Sequence, residues 1–372
     1  MLERAKTDLS VSWTQLKRAL ISSAKFCGAM GAAYHSNWRS RRLLIIAWHG
    51  ISVDDEHEWA PGLYMSASQF ARRLHILRST GCNVLPLAEG LARLRNDTLP
   101  PRSVCLTFDD GFADFSQRAH PILKSFGFPA TLYLTTRYLD SPHPVLPVAL
   151  AYLAWTKRGR DFGIWNAPGL VTSLDLRSEK SRARAVSAVV DYARLRNLSL
   201  DESDQLLSSF ALRIGADYER LVARRMLCLM SREEVRRVSH SGVDIQMHSH
   251  SHLSPQDRVS FLADLRLNRN IIEGITGKNP DQFCYPSGVH IPEYRAWLRE
   301  EGVESAVTSD LGLASQSDDS FFLPRYTDGC GRSDGEFESW LSGLANLIPG
   351  RDREVIASPS SGTGSLVTQP SS

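Results

Sequence analysis

The chain has 372 residues, 42% hydrophobic and 23% charged, enough for one large domain or two ordinary ones and ordinary for a globular protein. A formal net charge of only +2 excludes a general nucleic-acid binder, and no run of 18 apolar residues exists to span a bilayer. Six scattered cysteines without a CxxC pair exclude a zinc knuckle and fit a reducing compartment.

Taken in chain order, the N-terminal 1–40 reads as a helical segment. Within it "LKRALISSAKFCGAMGAAY" is basic and weakly apolar. Lys25 interrupts the apolar stretch, so an amphipathic helix is expected rather than a cleaved signal. It packs on the domain or touches a membrane surface. "RRLLIIAWHG" is a buried strand that ends at a glycine. "SASQFARRLHILRSTG" has Phe70, Leu74 and Leu77 at helical spacing and a glycine stop. "NVLPL" and "RSVCLTF" read as strands around a short helix. "ADFSQRAHPILKSFG" is a helix disturbed near Pro121, and "PATLYLTT" a further strand. Strands alternating with helices predict parallel βαβ units.

From about 141 to 230 the rhythm changes to charged amphipathic helices, and a helical insertion is expected there. "SREEVRRVSHSG" restarts the alternation with a capping box, Ser231 and Glu234. Next come "VDIQMHSHSHL", a long helix, "DQFCYPSG", "IPEYRAWLREEG" and "VESAVTS". The tail, 346–372, is rich in Ser, Gly, Pro and Thr and reads as disordered. The cysteines at 105 and 284 sit in strand-like runs and are expected to be buried thiols.

Three strand exits could carry chemistry. "LTFDDG" ends a buried run in two adjacent carboxylates, Asp109 and Asp110, whose repulsion something must offset. "MHSHSHL" offers His248, His250 and His252. "YPSG", 285–288, is a turn. Taken alone, each has a bland explanation: a solvated loop, an incidental pair, a turn. Exits of parallel strands, however, meet at one end of an α/β fold, where sites form. One carboxylate and two imidazoles are a common facial set for a divalent metal. With "HLSP" following, a turn that puts His248 and His252 together and His250 away is the better reading.

These motifs resemble the polysaccharide deacetylase family. Thr107–Gly111 match its TFDDG motif, His248–His252 its H-[ST]-x-x-H motif, and Pro286–Gly288, loosely, its Pro–aromatic–Gly turn. The resemblance runs from about Leu43 to Trp340, broken by the insertion. It implies a distorted (β/α) barrel, with a catalytic domain over 41–345. It implies Asp109 as catalytic base, with Asp110, His248 and His252 holding a divalent metal, zinc first. Tyr285, Pro286, Gly288 and Arg325 are the expected substrate-contacting residues, with a backbone N–H near Tyr285 stabilising the oxyanion. The implied reaction is metal-assisted hydrolysis of N-acetyl groups on a saccharide.

Two departures from the family pattern stand out. Cys284 occupies a position where relatives often carry an arginine that tunes the base, and Arg325 could replace that arginine from another strand end. The usual Leu-x-His supplying the general acid is missing. His49, at an early strand exit, is the best placed substitute, ahead of His250 and His290. The expected partner is an N-acetylated carbohydrate, not nucleic acid, with membrane association weakly indicated. The expected location is cytoplasmic or membrane-peripheral, with secretion left open. Other readings are hydrolysis of another small amide on the same fold, or a carbohydrate-binding pseudoenzyme.

Overall fold

The structure, a computed structural model, describes residues 29–347. Of the amphipathic helix expected in the N-terminal segment only Ala29–Tyr34 falls within them. The tail from 348 lies outside the described residues.

Twelve strands occur in chain order: β1 Leu44–Trp48, β2 Gly50–Ile51, β3 Tyr64–Met65, β4 Asn83–Val84, β5 Ser103–Phe108, β6 Thr131–Leu134, β7 Asp161–Ala167, β8 Leu170–Asp175, β9 Asp244–Met247, β10 Gln282–Cys284, β11 Ser305–Leu311 and β12 Leu323–Thr327. Seven of them close a ring. The order is β1-β12-β11-β10-β9-β6-β5, and β5 returns to β1 in register from Leu44↔Val104 to Trp48↔Phe108. Every pairing in the ring is parallel. β4 flanks β5 outside it. This is the expected (β/α) barrel, distorted by having seven strands where the regular form has eight.

The period of two along each strand divides the residues between two environments. Leu44, Ile46 and Trp48 of β1, and Val104, Leu106 and Phe108 of β5, pack outward into a core shared with the surrounding helices. Their neighbours Ile45 and Cys105 join Tyr133, Cys284, Val307 and Leu323 in a separate inner cluster. Continued by two residues at a time, the inner row of β5 reads Cys105, Thr107, Asp109. That of β1 reads Ile45, Ala47, His49, and that of β12 reads Leu323, Arg325, Thr327. The chemistry-bearing residues therefore sit on the inward face because of strand parity.

The insertion differs from the expectation of helices alone. Helices Leu146–Thr156, Glu179–Leu195, Leu200–Ile214 and Tyr218–Arg224 are present, but β7 and β8 form an antiparallel hairpin between the first two. Its turn, Pro168-Gly169, has Gly169 at φ +78°, a conformation glycine adopts without steric cost. Charged residues flanking this stretch mask a short alternating strand pattern. The insertion has its own apolar core, including Leu150, Leu153, Val189 and Phe210, into which Tyr64 and Val53 of the barrel loops are packed. It leaves the barrel after β6 and returns before β9, so it emerges at the carboxyl end of the strands.

At that end a buried ion pair ties the outer helix Ala67–Ser79 to the ring. Arg73 and Asp328 are both 0% exposed. Arg73 Nε donates to Asp328 Oδ2 at 2.9 Å and its Nη2 to the Arg332 carbonyl at 2.6 Å. Asp328 also accepts from Tyr326 Oη (3.2 Å) and Trp48 Nε1 (3.4 Å). Removing one partner strands a charge out of water. Arg73→Met should lower unfolding free energy by about 3–5 kcal/mol in urea titrations. A loss below about 1 kcal/mol would show that Asp328 finds solvent or another donor.

Candidate active site

The turn after β5 is shaped by backbone geometry. Asp110 and Gly111 have φ of +71° and +88°. Asp tolerates the left-handed region better than most residues. A Cβ at Gly111 would overlap the side chain of Leu134 on β6, so glycine is required there. This tight turn sends Asp109 down into the barrel and leaves Asp110 at its mouth.

Asp109 is held by Arg325. The two residues are 3% and 1% exposed. Arg325 Nη1 donates to Asp109 Oδ1 at 2.8 Å and Nη2 to Oδ2 at 2.7 Å. Its other donors reach Thr308 O (2.9 Å), Thr107 Oγ1 (3.2 Å) and Cys284 Sγ (3.2 Å). Five N–H groups thus find five partners, which makes a buried guanidinium tolerable. Burial alone would raise the Asp109 carboxyl, but the charge and hydrogen bonds of Arg325 outweigh it and bring it down to about 2. Arg325 thus reaches Asp109 from another strand end. Its assignment as a substrate contact is corrected: at 1% exposure it lies beneath Asp109.

Asp110, His248 and His252 converge. Asp110 Oδ1 lies 3.2 Å from His248 Nε2 and 3.1 Å from His252 Nε2. The His248 Nδ1 faces the Cys284 carbonyl at 2.9 Å. A carbonyl only accepts, so Nδ1 carries the proton, and in the neutral ring Nε2 is a lone pair. That lone pair points at Asp110 Oδ1, a buried atom with no hydrogen-bond partner. Acceptors crowded this closely repel one another unless a cation or an added proton lies between them. The donor set, one carboxylate and two imidazoles, suits zinc or another divalent ion, and the carbonyl on Nδ1 is the usual orienting partner of a ligating histidine.

A second trio, Asp109, His248 and Cys284, also clusters closely enough to hold an ion. Two facts argue against it. Arg325 already places a cation against both Asp109 and Cys284. Burial pushes the Cys284 thiol well above its ordinary value, so the thiolate that binds metal is disfavoured.

The histidine segment is neither helix nor strand. Ser249 and His252 have φ of +61° and +56°, and the loop is clamped by the helix Arg258–Thr276. Asp264 accepts from the backbone N–H of His250 (2.6 Å) and of Ser251 (3.0 Å). Asn268, one turn on and 0% exposed, accepts from His248 N and donates to Leu134 O and Thr136 Oγ1. His250 turns away to Thr136 Oγ1 at 3.0 Å. Sequence reading passed over Asp264 and Asn268. A buried polar residue on the apolar stripe of that helix was the available signal.

His49 lines the mouth, with Nε2 3.8 Å from Asp109 Oδ2 and Nδ1 buried without a partner. Burial lowers its pKa despite the two carboxylates nearby. His290 instead faces the Gly288 carbonyl at 2.9 Å.

The 285–288 turn requires a correction. The Tyr285 backbone N–H donates to Val307 O at 3.2 Å within the sheet, and its hydroxyl donates to Phe321 O. Its own N–H is therefore committed to the sheet, which leaves the expected oxyanion donor to another backbone N–H near Tyr285. Gly288, at φ +67°, presses against Ser309, 2.6 Å from where a Cβ would stand; its role is close packing. Pro286 and Ser287 line a cavity of about 480 Å³ that opens over Asp110 and His252. A much smaller space, about 30 Å³, reaches His49, Asp109, His248, Tyr285 and Leu311.

The polysaccharide deacetylase family model matches residues 96–167 and 202–306. The poly-beta-1,6-N-acetyl-D-glucosamine N-deacetylase of Escherichia coli (strain K12) is 32% identical over 108 residues, 28% of this chain and 16% of that protein. The enzyme of the same name from Staphylococcus aureus (strain N315) is 35% identical over 75 residues, 20% of this chain and 26% of that one. The matched region is thus a small part of these relatives' length. Among solved structures, the Streptococcus pyogenes deacetylase PplD in complex with acetate superposes with a TM-score of 0.53 at 17% identity, covering 83% of this chain and 99% of that one. IcaB from Ammonifex degensii gives 0.50 at 15% identity, over 81% and 97%. At such identities the superpositions speak to fold. The chain belongs to the polysaccharide deacetylase family.

The Asp109–Arg325 pair generates a pH prediction. Asp109 is depressed, so it stays ionised until pH falls toward about 2. In Arg325→Met the lowering influence goes and burial, which raises, remains. The acidic limb of kcat/KM for amide hydrolysis should then move upward toward neutral pH. An unmoved limb would mean that Asp109 does not govern it.

Proposed function

We propose that this protein is a metal-dependent N-deacetylase of N-acetylated saccharides, with Asp110, His248 and His252 as ligands and Asp109 as base. The observation that carries the reading is Asp110 Oδ1, buried without a hydrogen-bond partner and faced by two imidazole Nε2 atoms. The family membership and the names of the relatives supply the substrate class. A divalent ion in this ligand set would supply Lewis-acid polarisation of the acetamide carbonyl and acidify a water.

The remaining chemistry belongs to the chain. Arg325 keeps Asp109 ionised and fixes its orientation. By the hydrogen bonds counted above, Asp109 Oδ1 accepts one bond and retains a lone pair for the proton of the attacking water. Water adds to the acyl carbon, the C–N bond breaks, and the amine nitrogen must gain a proton. His49 begins neutral, so it donates to nitrogen after receiving the proton that Asp109 has taken. Their 3.8 Å separation is short enough for that transfer after a small side-chain movement. The small space beside Asp109 suits a small acyl group such as acetyl. Acetate and a free amino sugar are the products.

Acetate release from N-acetylglucosamine oligomers, followed with and without a chelator, tests the activity. Asp109→Asn should lose about 10²–10⁴-fold in rate while binding metal like the parent. His248→Ala should lose metal and activity together, read by elemental analysis. Equal metal loss in both variants would make Asp109 a ligand. Separately, His49→Ala should fall by about 10²–10⁴-fold with metal retained and the basic limb of the pH profile altered. Parental activity in that variant would hand the acid role to solvent or another group.

A further inference from the structure

The cavity of about 480 Å³ is built unlike a sugar groove. Its end next to the metal-ligand set is polar, with Ser251, Ser254 and Ser287 beside Asp110 and His252. Much of the rest of its lining is apolar, including Val145, Leu146, Val148, Val190 and Leu198, with Asn197 and Ser203 among them. Leu253 and Val289, also lining it, remain 50% and 46% exposed, leaving apolar surface at the entrance that water solvates poorly. Asp110 is the one carboxylate among the lining residues, whereas two arginines, Arg137 and Arg194, face the space. Arg137 is exposed, with no side-chain hydrogen bond or ion pair among the described residues. Arg194 has only a 3.9 Å contact with Asp191 on its own helix. Val190, Arg194 and Leu198 lie between the two stretches, 96–167 and 202–306, that the family model matches. Those three residues, though not Arg137, Val145, Leu146 and Val148, thus lie outside the matched stretches.

We propose that this cavity takes the lipid-phosphate portion of an N-acetylated sugar carried on a lipid phosphate, with the sugar at the serine end and the phosphate on Arg137 and Arg194. The inference rests on the deacetylase reading for the identity of the sugar, but not for the binding of the lipid phosphate. Volume and lining suit a small amphiphile, since ligand pockets run from about 300 to 1,000 Å³ and are mostly apolar. The two arginines suit an anion, and the predominantly aliphatic lining favours a hydrocarbon chain over a nucleoside.

Calorimetric titration of the full chain with farnesyl phosphate, farnesol, inorganic phosphate and UDP-N-acetylglucosamine tests the binding without any turnover. Farnesyl phosphate should bind with a negative heat-capacity change, and farnesol and phosphate each at least about tenfold more weakly. Arg137→Ala, at an exposed position, should weaken farnesyl phosphate about tenfold, and Val190→Asp should do so more strongly, with thermal unfolding checked for both. Failure of farnesyl phosphate to bind, tighter binding of the nucleotide sugar, or parental affinity in both variants would overturn the proposal. Acetate release from soluble oligomers reads the deacetylase function independently. Activity there without farnesyl phosphate binding sinks the lipid inference alone. Binding without acetate from either soluble or prenyl-phosphate-linked N-acetylglucosamine sinks the deacetylase reading alone.

Discussion

A buried guanidinium makes this site possible. Two adjacent carboxylates at a strand end repel, and each is costly to take out of water. The barrel separates their compensation. Asp109 points inward and is neutralised from below by Arg325, which spends all five donors inside the barrel. Asp110 points to the mouth, where two imidazoles face it. Because Arg325 satisfies Asp109, a cation arriving at the mouth meets one carboxylate and two nitrogens rather than a pair of competing carboxylates. On the proposed reading, Asp109 would stay beside the ion as base without being drawn into its ligand set.

The same arginine illustrates what can be read before folding. The DDG turn and the histidine pair were legible because their identity and spacing are local. His49 was legible as the residue at an early strand exit; that it lies on the inner face follows from strand parity seen in the folded barrel. Arg325 was legible only as a suggestion. Its position depends on β12 closing against β1, a contact between residues hundreds of positions apart, as well as against its sequence neighbour β11. Local sequence could supply the strand, but which rung of the barrel faces Asp109 is decided by closure. Tyr285 shows the same limit: the motif pointed to a backbone N–H near it, and that its own is consumed by sheet pairing with Val307 is visible only in the fold.

Support for the histidine loop was harder to see. His248 and His252 are brought together by two left-handed residues and a carboxylate, Asp264, that holds consecutive N–H groups. A helical turn would have given similar spacing with a different backbone, so the pattern could not distinguish them. The hairpin of β7 and β8 was hidden in another way. Only Trp165, Leu170 and Leu174 of its residues are buried, too few for a strong period of two amid charged helices.

The point at which the insertion leaves the barrel has consequences for selection. A segment placed between β6 and β9 must emerge beside the exits of those strands, next to Thr135 and His248. It cannot avoid overhanging the reacting end, and its side chains become walls of whatever binds there. The proposed catalytic groups sit on the barrel, fixed by strand register and by Arg325. The insertion instead packs on a core of its own and reaches the barrel through Tyr64 and Val53. Away from its last residues, where Leu229 bridges to Phe112 beside the Asp110–Gly111 turn, it can therefore change without disturbing the carboxylates or the imidazoles, which makes this connection a part of the molecule where substrate choice can diverge while the proposed hydrolytic geometry is kept.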